Sequence, residues 1–116
     1  MKITSLDHVP KRVMNMDGAK DTYKQLPIGS HDGVPLFSFR VFTIEPGGHT
    51  PYHTHPFEHV NYVIEGRGLL VDQTGEEHTV KKGDFCLVQP NETHQYKNTS
   101  QTEPMVMICA VPKEYE

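Results

Sequence analysis

Tryptophan is absent from the 116 residues, and cysteine occurs only twice, at Cys86 and Cys109. The two thiols lie far apart, each inside an apolar run. A CxxC redox or zinc motif is therefore excluded, and both are expected to be reduced. No window approaches the roughly eighteen apolar residues of a membrane span, and the opening MKITSLDHVPKRV lacks the apolar core of a secretory signal. The chain is accordingly expected in the cytoplasm, with no membrane partner. A basic cluster is also missing: net charge is -4 and the lysines and arginines are scattered, which argues against nucleic-acid binding. Nine prolines interrupt every window that could carry a long amphipathic helix. At 35% hydrophobic and 22% charged residues, the composition is that of an ordinary folded chain, with length for one domain.

In place of helices there are short runs rich in β-branched and aromatic residues, bounded by Gly, Pro, Asn or Asp. They predict strands at Thr22–Leu26, Leu36–Ile44, His59–Ile64, Gly68–Asp72, Glu77–Val80, Phe85–Val88, His94–Asn98 and Met105–Val111. Turns are expected at Pro46-Gly47-Gly48, Glu65-Gly66-Arg67-Gly68, Gln73-Thr74-Gly75-Glu76, Lys82-Gly83-Asp84 and Gln89-Pro90-Asn91. Many short strands at this spacing give an all-β sandwich or barrel. The first thirty or so residues are less regular. Residues 1–35 are expected to be a lead-in strand or arm packed on a barrel of residues 36–116, one domain overall.

Four of the eight histidines fall into a pattern. His53 and His55 are two apart and His59 follows four later. In extended chain alternate residues share a face, so His53 and His55 can project together, and His59 can join them if Pro56 and Phe57 bend. Three converging imidazoles suit Mn, Fe, Ni, Cu or Zn, all of which accept neutral nitrogen donors. His8, His31, His49 and His78 have no partner at ligand spacing and are read as surface or packing residues.

Gly47, His53, His55, position 59 and Gly66 keep the spacing of the first cupin motif, with His59 where that family usually carries a glutamate. Glu58 is one step off, so its side chain is expected on the opposite face. Gly83, Pro90, His94 and Asn98 resemble the second motif, except that Pro90 stands one residue closer to the histidine and Asn91-Glu92-Thr93 replaces the usual glycine turn. The resemblance spans roughly residues 36–111 and implies a cupin double-stranded β-helix, or jelly-roll barrel, with a pocket opening at one end. All-histidine sites like this one are similar to those of small bacterial single-domain cupins that hold manganese or another divalent ion. The resemblance thus implies one metal ion per chain on His53, His55, His59 and His94, and a homodimer.

Four neutral ligands leave the full charge on a divalent ion, making it a strong Lewis acid that attracts anionic or chelating oxygen ligands. Two coordination positions would remain open at a six-coordinate ion, enough for a chelating substrate or for substrate plus dioxygen. The leading expectation is a metal-dependent oxygenase-type enzyme, a dioxygenase for example, acting on a small oxygen-rich molecule. A non-catalytic small-molecule binder or sensor is one alternative. A Lewis-acid isomerase or lyase is another, although Glu45, Glu58, Asp72, Asp84 and Glu92 all sit near turns and none offers a buried base. Strand parity puts Arg40, Phe42 and Ile44 on one face of their strand, and Met107 on the same face of its own strand as Cys109. Arg40, Phe42, Met107 and Cys109 are the candidate pocket residues, Arg40 as partner of an anionic substrate and Cys109 as a small soft group near the metal. Phe37, Phe39, Tyr52, Phe57, Tyr62, Phe85 and Tyr96 are assigned to the core or a dimer interface.

Overall fold

The computed structural model describes residues 1–116. Nine strands form: β1 (Arg12–Val13), β2 (Lys20–Ile28), β3 (Phe37–His49), β4 (His59–Glu65), β5 (Arg67–Val71), β6 (Glu77–Lys81), β7 (Phe85–Val88), β8 (Gln95–Lys97) and β9 (Met105–Pro112). The helical content is three single 3-10 turns, at Leu6–His8, Ser30–Asp32 and Lys113–Tyr115, and no helix is long and apolar enough to cross a membrane. Every predicted strand is present; only the two-residue β1 was not anticipated. One turn differs from expectation. Pro46-Gly47-Gly48 does not end β3 but is carried within it, and the pairing with β2 slips there, from Thr22 opposite Ile44 to Lys20 opposite His49. A strand absorbs such an irregularity as a bulge when glycine supplies the positive φ, and Gly47 has φ 77°.

The sheet is antiparallel throughout and runs in the order β6-β5-β8-β3-β9-β4-β7, with β2 paired along β3 and β1 along β2. Its curl brings one face inward. Cross-strand registry then stacks the interior in rows. Arg40, Cys109, Asn61 and Cys86 face one another in sequence across β3, β9, β4 and β7; Phe42, Met107 and Val63 form the next row, and Ile44 with Met105 the one after. Ile44, Val63 and Met105 are fully buried and join Val80, Tyr96, Phe42, Met107 and Cys109 in one cluster. Burying an aliphatic side chain of this size contributes about 1.5–3 kcal/mol, so the lower rows are the main apolar anchor. Between β4 and β5, Gly66 has φ 77°, and a Cβ there would lie 2.2 Å from the Pro104 carbonyl oxygen. No other residue fits that turn.

The outer face of the same four strands is apolar as well. Phe39, Ala110, Val60 and Leu87 are register neighbours across β3, β9, β4 and β7, with Phe37 and Phe85 beside them. Of these, Phe37, Phe39, Val60, Phe85 and Leu87 are between 45% and 77% exposed. They are not part of the core.

Candidate metal centre

Backbone pairing, rather than chance proximity, brings the two histidine stretches together. His53 N–H donates to His94 O at 3.1 Å and His94 N–H to His53 O at 2.9 Å, an isolated bridge outside the named strands. Asn91 N–H donates to His55 O at 2.7 Å. Asn91 has φ 66°, and asparagine is among the few residues besides glycine that take up this conformation readily, so it serves where the resemblance leads one to expect glycine. Tyr52 and Thr54 are exposed while His53 and His55 point in and are half-buried, and the chain bends at Pro56 and Phe57 before β4 begins at His59.

The nitrogen donor atoms of His53, His55 and His94 all lie within 4.8 Å of one another. His55 Nδ1 is 2.7 Å from Phe57 O and His94 Nδ1 is 2.9 Å from Glu92 O. A carbonyl can only accept, so each Nδ1 carries the proton and each Nε2 presents a lone pair. For His55 that Nε2 is buried and has no hydrogen-bond partner. Such an orphaned acceptor is costly without a ligand, and a carbonyl behind the opposite ring nitrogen is the usual support of a metal-bound histidine. The three residues fit a divalent transition metal.

His59 stands beside them, its ring centroid 4.0 Å from that of His55 and 5.6 Å from that of His94. Its Nε2, however, meets Arg40 Nη2 at 3.0 Å, and it is not one of the three residues that share the 4.8 Å grouping. Burial holds all four imidazoles neutral. It pushes His53 down to about 4, helped by the neighbouring His94, His55 and Arg40, and His59 down to about 2, helped first by Arg40. His55 and His94 are lowered mainly by burial too, against the opposing effect of their backbone hydrogen bonds. Neutral imidazole is the ligand form.

The histidines line a cavity of about 360 Å³. Arg40, Phe42 and Met107 line it as well. Cys109 is fully buried beneath Arg40, its Sγ 3.1 Å from Arg40 Nη2, and is not among the lining residues. Arg40 itself is 7% exposed. On one side Tyr115, Phe57 and His55 form a stacked column, with centroids 4.0 and 4.1 Å apart and planes within 12°. Lys24 donates to the Glu116 backbone oxygen at 2.7 Å, and burial followed by repulsion from Arg40 lowers its pKa. Glu116 supplies the lining carboxylate, but that group is taken up by Ser30 and Ser38. The cavity therefore presents the Arg40 guanidinium with no carboxylate on it, and beside it a Lys24 ammonium already engaged by Glu116.

Asn61 and Tyr96 also line the cavity, and Tyr96 Oη donates to Asn61 Oδ1 at 3.1 Å. Alternation from His59 and from His94 would have pointed to both. Lys24, Tyr115 and Glu116 carried no comparable signal, since they arrive from distant parts of the chain. Asn98 acts on the fold: its amide nitrogen donates to Ile44 O and Glu103 O, each at 2.8 Å. Glu58 is exposed, one step out of phase with His59.

Comparison with known proteins is consistent with this geometry. The family model described as a cupin domain matches residues 40–111. The oxalate-binding protein of Thermotoga maritima is 29% identical over 108 residues, covering 89% of this chain and 87% of its own. Gentisate 1,2 dioxygenase 1 of Aquipseudomonas alcaligenes is 33% identical over 65 residues, 56% of this chain but 18% of the relative. Among solved structures, a polyketide cyclase from Streptomyces resistomycificus superposes with a TM-score of 0.91 at 28% identity, covering 97% of this chain and 79% of that one.

Proposed function

Because the chain belongs to the cupin family, we propose that it is a metal-dependent enzyme of oxygenase type acting on a small, planar, oxygen-rich anion. The observation that carries this reading is the buried, partnerless Nε2 of His55 among the His53 and His94 nitrogens, at the wall of a cavity whose Arg40 guanidinium meets no carboxylate. His53, His55 and His94 would hold one divalent ion, Mn, Fe, Ni, Cu or Zn, and His59 is proposed as the fourth ligand. The ion would supply Lewis acidity and, if redox-active, electrons for dioxygen chemistry.

The remaining roles belong to side chains. Arg40 and Lys24 compensate the charge of the substrate, and Arg40 offers a planar donor set suited to carboxylate or enolate oxygens. The stacked column of His55, Phe57 and Tyr115, with Phe42 and Met107, shields an aromatic or enolic body from water. Cys109 underpins Arg40. At about 360 Å³ the cavity is roomy for a molecule as small as oxalate, whereas one or two fused rings would occupy it more fully. No acidic side chain is placed as a free base, since the Glu116 carboxylate is bound by serines. A substrate that enters as an anion needs none.

A second reading has its own support. The likeness to a polyketide cyclase over 97% of the chain favours redox-neutral ring closure of a polycarbonyl substrate by Lewis acidity alone. Elemental analysis of protein purified without added metal, followed by oxygen-electrode assays of Fe-, Mn-, Ni- and Cu-loaded protein with gentisate and acetylacetone, tests the first reading. Oxygen uptake matched to substrate loss supports it. Equal turnover under argon by the Zn form would transfer the case to cyclisation, and tight binding without turnover would leave a binder or sensor.

The apolar outer face supports a homodimer in which a second copy covers it. Five large side chains between 45% and 77% exposed amount to a few hundred Å², against roughly 800 Å² per partner in a standard interface. The two free thiols favour a reducing compartment such as the cytoplasm.

A further inference from the structure

Asn61 and Tyr96 have no part in holding an ion or meeting an anion, yet both line the cavity, 1% and 2% exposed. Asn61 lies on β4, with Cys109 and Cys86 as its cross-strand neighbours on β9 and β7. Thiols are weak hydrogen-bond partners, so this row gives an amide little to bind. Tyr96 supplies the one bond: its Oη donates to Asn61 Oδ1 at 3.1 Å. The amide is thereby turned with Oδ1 toward Tyr96, and Nδ2, with two protons, has no partner in the protein and opens on the cavity. Two residues further along β4 the same inward face is filled by Val63, fully enclosed and apolar. A buried amide with its donors unmet costs folding energy that an aliphatic side chain would not. In the register Arg40 and Asn61 flank Cys109 from either side, their backbones about 10 Å apart at two strand spacings.

We propose that Asn61 is a substrate-binding residue: its Nδ2 donates to a hydroxyl or keto oxygen of a substrate whose carboxylate or enolate meets Arg40, and Tyr96 is the positioning residue that keeps the amide turned that way. This deepens, and rests on, the reading of the cavity as the site of a small planar anion. It narrows the substrate class to molecules with a second, uncharged oxygen set across a ring or short chain from the charged group, because the two donors stand on either side of Cys109. A site built to hydrogen-bond a substrate oxygen discriminates against the analogue that lacks it, since its own buried donor is then left unpaired. Tyr96 matters because an amide carries a donor at one corner and an acceptor at the other. Without the phenol on Oδ1 the group is free to turn and present that acceptor, which a keto oxygen cannot meet.

The probes are benzoate, 3-hydroxybenzoate and 4-hydroxybenzoate, titrated calorimetrically into zinc-loaded protein; in neither hydroxybenzoate is the hydroxyl close enough to the carboxylate to chelate with it. One of the two hydroxybenzoates is expected to bind about tenfold tighter than benzoate. In Asn61→Leu, compared at equal zinc occupancy, that ratio should fall to within about twofold of unity. Tyr96→Phe keeps the ring and loses the hydroxyl, and should lower the ratio by about threefold or more. A purely structural Tyr96 would weaken all three probes alike, and the unchanged ratio would overturn its positioning role. The wild type gives a readout that needs no variant to fold: the Asn61 side-chain NH2 proton resonances should move downfield with the favoured hydroxybenzoate and not with benzoate. Equal affinity for all three probes would overturn the proposal while leaving anion binding at Arg40 intact, and so would a preference that persists in Asn61→Leu. Failure of all three to bind the zinc-loaded protein would instead sink the anion reading of the cavity, and this proposal with it.

Discussion

The two ends of the barrel interior are built from the same strands and the same alternate positions, yet they do opposite things. Along β3 the inward residues run Arg40, Phe42, Ile44; along β4, His59, Asn61, Val63; along β9, Cys109, Met107, Met105. At one end they are polar, donor-rich and partly unsatisfied; at the other they are apolar and sealed. Pleating sets which residues face inward, while position along the strand sets whether that interior is core or site. Stability is thus concentrated away from the chemistry, and the histidines can be held in an arrangement that costs folding energy because Ile44, Val63 and Met105 supply it elsewhere.

The largest effect is expected where that division is cut at its apolar end. Ile44→Ala opens a cavity in a fully enclosed position and should cost about 4 kcal/mol in denaturant unfolding. Metal affinity of the molecules that remain folded should stay within a small factor. A loss of both together would mean that the ends are mechanically one unit. Next comes His55→Ala at the polar end, which should weaken metal binding by roughly a hundredfold or more while leaving the metal-free protein as stable or more so, because it deletes a buried acceptor without a partner. Calorimetric titration and thermal melts of the same preparation separate the two outcomes. A destabilised apoprotein would show that the imidazole contributes to the fold.

The inward faces were legible in the sequence, for identifiable reasons, but the division between core end and site end along them was not. Strand windows bounded by glycine, proline and asparagine gave eight of the nine strands because local turn chemistry and β-branched content agree there. Parity alone put Arg40, Phe42 and Ile44 on one face, and spacing grouped His53 with His55. What local pattern could not express was pairing between distant segments. The bridge between His53 and His94, the arrival of Tyr115 over Phe57, and the contact of His59 Nε2 with Arg40 all depend on tertiary register. Apolar content alone also left core and interface undivided: the fold places Phe37, Phe39 and Phe85 outside the barrel, which removes the core half of that reading and keeps the interface half.

A moderate effect should distinguish the ends by pH. His53 is lowered from its ordinary value to about 4, chiefly by burial, so the unfolded chain takes up a proton near pH 6.5 that the folded chain refuses. Stability of the metal-free protein is therefore full above about pH 6.5 and declines as pH falls toward 4. His59, His55 and His94 shift in the same direction and steepen the decline. Thermal melts across this range check it, and His53→Leu should flatten the slope while Ile44→Val leaves it unchanged. A stability that is level from pH 7 to 4.5 would mean that the imidazoles are hydrated in solution, and that the polar end is not held neutral by burial.

The smallest effect on the fold, though not on assembly, is expected outside the barrel. Phe85 is 77% exposed on β7, beside the row of Phe39, Ala110, Val60 and Leu87, and it packs against Tyr62 with ring centroids 4.5 Å apart. Phe85→Lys removes little buried area and should change folding free energy by about 0.5 kcal/mol or less per folded chain. If a second copy covers this face, however, the charge would be buried without a partner at the centre of the interface, where desolvation is costly. Sedimentation equilibrium should then show a shift from dimer toward monomer, with metal affinity unaltered because the substituted side chain points away from the histidines. A dimer that persists at unchanged strength would assign the outer apolar rows to something other than self-association, and would leave the two interior ends as the only regions whose contrast carries function.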